Sequence, residues 1–266
     1  MTPRHSIPRL GINLDHIATL RQLRNTPYPS LELATLESFE AGADQITLHL
    51  REDERHIQRA DIPLIRQLCQ KHHKIFNLEM ALGSFVEQVA FDVSPDWICL
   101  VPEKREEKTT EGGLDILNPF IQEKIFQFCS KLSKNIKVSL FIEAKTEYLP
   151  ILKTLLSAPI HAVEIHTGDY AHLWEEQKNN FSDSERKLQL QHCLESFSNF
   201  AKEVASLNLS YHAGHGISLK NLPPLVSLHI FQEYNIGHAV ICDAVFCGLK
   251  QAIKQFKQHL TPLITF

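Results

Sequence analysis

Eight short runs of aliphatic, aromatic and β-branched residues recur along the chain, each parted from the next by a longer segment of helical period. They are residues 10–15 (LGINLD), 45–50 (QITLHL), 75–80 (IFNLEM), 97–102 (WICLVP), 137–143 (KVSLFIE), 162–166 (AVEIH), 209–214 (LSYHAG) and 233–237 (EYNIG). Apolar runs bounded by helices are the pattern of parallel strands covered on both faces. Eight such units in about 250 residues are what a closed barrel requires, so the sequence predicts the α/β class and a (β/α)8 TIM barrel with extra helices; a doubly wound open sheet is the alternative. Two segments exceed the minimal unit: a charged loop over 103–115, and a stretch over 168–207 with room for an additional helix before the sixth.

Helix boundary signals fit this rhythm. Gly42 closes the helix before the second strand, Asn118 with Pro119 opens the fifth, and Asp61 with Pro63, Ser84, Thr146 and Ser218 offer caps for others. No Gly/Ser- or Pro-rich linker and no low-complexity tract interrupts the 266 residues, which predicts one domain over 1–266.

The second strand raises a question, because ITLHLREDERH (46–56) buries Ile46, Leu48 and Leu50 yet carries His49, Arg51 and His56. In a (β/α)8 barrel the carboxyl ends of the strands build the active site, so such residues collect at one mouth. Strand one ends in Asn13, Asp15 and His16, with Arg21 and Arg24 beyond; strand three carries Asn77 and Glu79; strand six supplies Glu164, His166 and Thr167; strand seven His212 and His215; strand eight Asn235, Gly237 and His238. Alternation puts Asn13 with Asp15, His49 with Arg51, Asn77 with Glu79 and Glu164 with His166 on faces opposite their apolar neighbours. Any one of these is most simply a satisfied structural group. So many ionisable side chains at one end, with far fewer at the other, point to a catalytic mouth, since a buried charge must be paired or liganded.

Anion binding is the next expectation. Neither a Walker loop nor G-x-G-x-x-G occurs, but AGHGIS (213–218) and NIGHAV (235–240) put glycines where strands seven and eight turn toward helices, a frequent phosphate site in this architecture. Arg24 and Arg51 can hold a second anion. The loop 103–115, with Thr109, Thr110 and the Gly112–Gly113 pair, suits a lid. Glu79 and His49 are candidates to accept protons and His215 to give one. Lys104 and Lys145 follow strands four and five, but no lysine falls on an inward face at a strand end, so a Schiff-base mechanism has no support.

A net charge of −4 leaves no basic field for nucleic acid. MTPRHSIPRL lacks a signal-peptide core and no run of about 18 apolar residues occurs, so no membrane is expected and the location is expected to be cytoplasmic. Cysteines 69, 99, 129, 193, 242 and 247 stand singly in apolar segments, without a C-x-x-C pair.

Longer stretches carry a resemblance: LGINLDHIATLRQLRNT, AGADQITLHLREDERHI, NLEMA, LVPEKREEKTTEGGLD, VSLFIE, EIHTGDYA, AGHGIS and YNIGHAVI occur in the order found in the pyridoxine 5'-phosphate synthase family of deoxyxylulose-dependent vitamin B6 synthesis. The chain resembles that family over almost its whole length. The resemblance implies a (β/α)8 barrel that condenses 1-deoxy-D-xylulose 5-phosphate with 3-amino-2-oxopropyl phosphate, two phosphorylated small molecules, without a cofactor or metal and as a homo-octamer. It implies that His49 and Glu79 accept protons, that His215 donates one and that Glu164 steadies the transition state. Asn13, Gly216, Gly237 and His238 would bind the aminoketone phosphate, and Asp15, His16, Arg24, Arg51, His56 and Thr109 the other substrate. Departures are His212, where the family usually has Asn, and Glu143, where it has Asp; ALGSF (81–85) also lacks an acidic residue common there. A second imidazole at position 212 is expected to disturb His215. The rival enzyme reading is a metal-dependent phosphosugar epimerase or lyase, because His, Asp and Glu at strand ends also suit a divalent cation. A rival of another class is a non-catalytic sensor of phosphorylated ligands.

Overall fold

The computed structural model describes residues 7–103, 112–175 and 183–261. Its strands are β1 (Arg9–Asn13), β2 (Gln45–His49), β3 (Ile75–Met80), β4 (Trp97–Leu100), β5 (Lys137–Ile142), β6 (Ile160–His166), β7 (Ser210–Gly214) and β8 (Glu233–Ile236). All pair in parallel and in chain order, and β8 pairs back onto β1, so the sheet closes into a barrel. The helices are α1 (Asp15–Gln22), α2 (Leu31–Glu40), α3 (Asp61–Lys71), α4 (Ser84–Val93), α5 (Pro119–Cys129), α6 (Leu149–Leu155), α7 (Gly168–Glu175), α8 (Asp183–Ser206), α9 (Leu222–Ser227), α10 (His238–Cys247) and α11 (Leu249–Leu260). Helices α1, α7 and α10 are additional to the eight-unit plan, and each follows directly on a strand's carboxyl end. The expected extra helix before the sixth unit is α7.

Strand alternation explains the packing. Outward residues such as Leu10, Ile12, Ile46, Leu48, Phe76, Leu78, Ile98, Leu140 and Ile165 are fully buried under the helices, each such side chain contributing about 1.5–3 kcal/mol of transfer free energy. Helix α11 shows the complementary face, with Ala252, Ile253, Phe256 and Leu260 buried at helical spacing.

The barrel interior is polar instead. Gln45, Thr47, Asn77, Ser139, Glu164, His212, Glu233 and Asn235 are all buried. Asn235 Nδ2 donates to Glu164 Oε2 at 2.8 Å and Glu233 Oε1 at 3.0 Å, while Gln45 Nε2 donates to Glu233 Oε1 and Asn235 Oδ1. At the amino end Arg9 pairs with Glu233 at 2.7 Å, and both Arg9 and Lys137 lie over the Trp97 ring. Ionisable groups therefore also run down the axis, although the carboxyl-end mouth gathers more of them than the amino end. Gly11 is needed beside this network, because a Cβ there would lie 2.0 Å from Asn235 Oδ1. Gly11→Ala is expected to cost about 3 kcal/mol by overpacking a tethered amide; an unchanged denaturation midpoint would contradict that.

Local signals had mixed outcomes. Asn118 caps α5, accepting from Phe120 N, and Gly42 takes the left-handed conformation beyond α2. Thr146 and Ser218 are not caps: Thr146 opens a 3₁₀ turn, and α9 starts only at Leu222 after Asn221. Asp61 begins α3, where it accepts from Gln58 N and pairs with Arg21 at 2.7 Å. Helix α4 starts at Ser84 behind Gly83. Of the loop expected to form a lid over 103–115, residues 104–111, with Thr109 and Thr110, lie outside the described residues.

Candidate active site

A cavity of about 400 Å³ opens where the strands end, a size that suits small phosphorylated molecules. Its wall includes Asn13, Asp15, His16, His49, Arg51 and His56 from the first two units and Glu79 from β3. Glu164 from β6, His215 and Gly216 after β7, and Gly237 and His238 after β8 complete the ring. Arg24 is exposed beyond α1 and is not among the lining residues. Thr19, Phe141, Glu175, Ser218 and Asn235 also line the cavity. Sequence patterning gave no signal for Glu175, which comes from the end of an added helix.

Asp15 is not the last residue of a strand, as the run 10–15 suggested, but the first of α1. Asn13 Oδ1 accepts from Asp15 N at 2.9 Å, a side-chain-closed turn that ends the strand two residues early. Asp15 Oδ1 then accepts from His49 N at 2.9 Å, and Asn13 Nδ2 links Asp15 Oδ2 at 3.0 Å to Glu79 Oε2 at 3.4 Å. Arg51 is 2% exposed, with its Nε 3.6 Å from Glu103. His56 Nδ1 meets Thr19 Oγ1 at 2.9 Å, and the His16 and His238 rings lie 5.0 Å apart.

Burial dominates the electrostatics. It pushes Asp15 up to about 7 against the His49 N–H, Asn13 and Arg51, and Glu164 up to about 8, assisted by Glu233. Burial, with Glu164 and Asp15 beside it, raises Glu79 well above the carboxylate range. The charges of Glu164 and Asp15 thus oppose ionisation of the carboxyl between them. The imidazoles respond with the opposite sign. Burial lowers His49 to about 3, aided by Arg51 and His56, and lowers His16 and His215 to about 4. At neutral pH the His49, His16 and His215 rings are therefore neutral, and His49 Nε2 and His16 Nδ1 are buried with no hydrogen-bond partner among the described residues.

The neighbour of His215 is not the one expected. His212 points down the barrel, with Nδ1 3.4 Å from Glu233 Oε1, because it lies on the inward face of β7 two residues below Gly214. The imidazole beside His215 is His166, with ring centroids 4.7 Å apart.

Among the described residues, two groups bring metal-ligand atoms within 4.8 Å of one another: Asp15, His49 and Glu79, and Glu164, His212 and Glu233. The Asn13 amide bridges the carboxylates of the first and the Asn235 amide those of the second. A cation in either would have to displace that amide.

Comparison with known proteins adds an independent line. The model of the family "Pyridoxal phosphate biosynthesis protein PdxJ" matches residues 10–262. A pyridoxine 5'-phosphate synthase of Legionella pneumophila (strain Corby) is 44% identical over 250 residues, covering 94% of this chain and 93% of its own. Enzymes of the same name from Coxiella burnetii (strain RSA 493) and Aquifex aeolicus are 43% and 42% identical, covering 94% and 93% of this chain and 96% and 97% of their own. Among solved structures, thiamine phosphate pyrophosphorylase from Pyrococcus furiosus superposes with a TM-score of 0.54 at 14% identity, covering 96% of both chains. A 3-hexulose-6-phosphate synthase does so with 0.54 at 14%, covering 95% of this chain and 100% of the other. These structural likenesses speak to the barrel alone.

Proposed function

The chain belongs to the PdxJ family of pyridoxal phosphate biosynthesis proteins, and on that premise we propose that the ring of acids and imidazoles at the barrel mouth carries out the family's reaction. That reaction makes pyridoxine 5'-phosphate by ring-closing condensation of 1-deoxy-D-xylulose 5-phosphate with 3-amino-2-oxopropyl phosphate, releasing phosphate and water. One observation carries the residue assignment: His49, Glu79, Glu164 and His215, drawn from four separate units of the barrel, line the same cavity.

Condensing an amine with a ketone, enolising the product and closing a ring all require protons to move between fixed positions. His49, held neutral by burial and by Arg51, accepts a proton without first having to lose one. Glu79 accepts a proton once the cationic amine of the incoming aminoketone stands beside it, because an adjacent positive charge returns a raised carboxyl to its ionised form. His215 donates a proton after a substrate phosphate has charged it. Glu164, near neutrality and fixed by Asn235, steadies the transition state. Asn13, Gly216, Gly237 and His238 hold the aminoketone phosphate, with the backbone N–H groups at the start of α10 available to the anion. Asp15, His16, Arg51 and His56 contact the substrate around the sugar phosphate, and by the family resemblance Arg24 and Thr109 are assigned to the same substrate. The same reading takes in a single domain over 1–266, a transferase working in the cytoplasm and a homo-octamer. Among the described residues no helix is long and apolar enough to cross a membrane.

A proton-linkage experiment tests this electrostatic scheme. A phosphate dianion entering among imidazoles depressed to about 4 raises their proton affinity. Binding of 1-deoxy-D-xylulose 5-phosphate at pH about 7.5 is therefore expected to take up protons, since at that pH an ordinary phosphate monoester is already close to a dianion. Titration calorimetry in buffers of different ionisation enthalpy reads the uptake. Identical heats in all buffers would remove the imidazoles from the anion site.

A further inference from the structure

His215 is not held by its own strand alone. It sits just past β7 with φ +73°, the left-handed region that a non-glycine residue occupies at a cost of order 1 kcal/mol. The Thr167 hydroxyl donates to the carbonyls of Gly214 and His215 and so fixes the backbone on both sides of the turn. The ring is flanked by His166, whose own ring stands edge-on to Phe141 at 5.4 Å. His166 Nδ1 meets Glu143 Oε1 at 2.7 Å, and that same oxygen accepts from Gly113 N at 3.0 Å. His166 Nε2 is buried with no hydrogen-bond partner among the described residues. Gly168 leaves room for this arrangement, since a Cβ there would lie 2.5 Å from His166 Cε1 and Nε2.

We propose that Glu143 and His166 form a positioning pair behind His215, holding its ring against the cavity and presenting a carboxylate's negative charge to it. This rests on reading His215 as the proton donor. Nothing in that assignment requires a partner for the histidine, yet the geometry supplies one: a carboxylate accepting Nδ1–H fixes the His166 tautomer and leaves its Nε2 bare. Against the pull of burial, the hydrogen bond from His166, the Gly113 N–H and Lys145 hold the Glu143 carboxyl below its ordinary value. Around His215, burial and the imidazoles of His166, His238 and His16 all lower proton affinity; Glu143 raises it. A donor must be protonated to act, so the charge at position 143 opposes the otherwise uniform push toward the neutral ring. Neither Glu143 nor His166 lines the cavity, so both act through His215 and not on substrate.

The test compares Glu143→Gln, Glu143→Asp and His166→Gln with the wild-type chain, reading the pH profile of kcat, the KM values and the His215 titration by NMR of histidine-labelled protein. Removing the charge is expected to move the His215 midpoint, and the pH above which kcat falls, downward by about one unit, with KM unchanged. Glu143→Asp restores both. His166→Gln lowers kcat, and adding Glu143→Gln to it costs nothing more, the non-additivity of two residues acting through one contact. If Glu143→Gln fails to fold, Glu143→Met removes the charge at similar volume and is read in the same way. A fall in kcat with midpoint and limb both left in place would mean a merely structural pair and overturn the inference. Failure of the donor assignment looks different: His215→Asn would then keep turnover and the alkaline limb, whatever Glu143 does to the NMR midpoint.

Discussion

Glu79→Gln should lower turnover by roughly 10²–10⁴-fold, the range that a positioned acid or base contributes, while substrate binding stays measurable. The amide has the volume of the acid and can still take the 3.4 Å hydrogen bond from Asn13 Nδ2, so the pocket keeps its shape. What is lost is a group that can gain and lose a proton. The surroundings make Glu79 suited to this exchange. It is half-buried in the cavity wall, with Glu164 and Asp15 as neighbouring carboxyls, and its proton affinity is raised by burial first and by those charges second. A group so placed changes protonation state when a cation arrives, as an ordinary exposed glutamate near 4.3 would not. Wild-type turnover in Glu79→Gln would end its role as a base.

His215→Asn should have an effect of similar size, roughly 10²–10⁴-fold on kcat, with a different signature. Free His215 titrates near 4, driven by burial and then by His166. At pH 7 it is neutral until a phosphate joins it. The sign follows: its donor form is lost as pH rises through its value in the complex, so the alkaline fall of kcat belongs to this residue. The asparagine variant should lose that limb along with its rate. Retention of the limb at reduced rate would move the donor role to another side chain, His16 and His238 being the imidazoles next in reach.

The barrel was legible in the sequence because its signals are local. Strand runs such as QITLHL and IFNLEM carry their period and their β-branched or aromatic content within six residues, and the observed bounds of β2 and β3 differ from them by at most one position. The ring of strand-end residues was legible for the same reason, since the architecture sends every carboxyl end to one mouth. Contacts set by register between distant strands were not. Glu143 and His166 are 23 positions apart and meet only because β5 and β6 pair as they do. The fall of His212 toward Glu233, not His215, depends on β7 ending at Gly214. Asp15 opening a helix depends on a side-chain turn at Asn13 that residue type alone permits but does not dictate. The polar axis through Gln45, Glu233 and Asn235 likewise needs β2 and β8 in place on either side of β1 before its hydrogen bonds exist.

The central claim is that this one rim joins two phosphorylated substrates and passes protons between them. Incubating the purified chain and its Glu79→Gln variant with 1-deoxy-D-xylulose 5-phosphate and 3-amino-2-oxopropyl phosphate, and following pyridoxine 5'-phosphate by mass spectrometry beside released phosphate, measures that directly. The wild-type chain should yield both products in equal amounts and the variant roughly 10²–10⁴-fold less of each in the same time; no pyridoxine 5'-phosphate from the wild type, or equal yields from the two, would contradict the account.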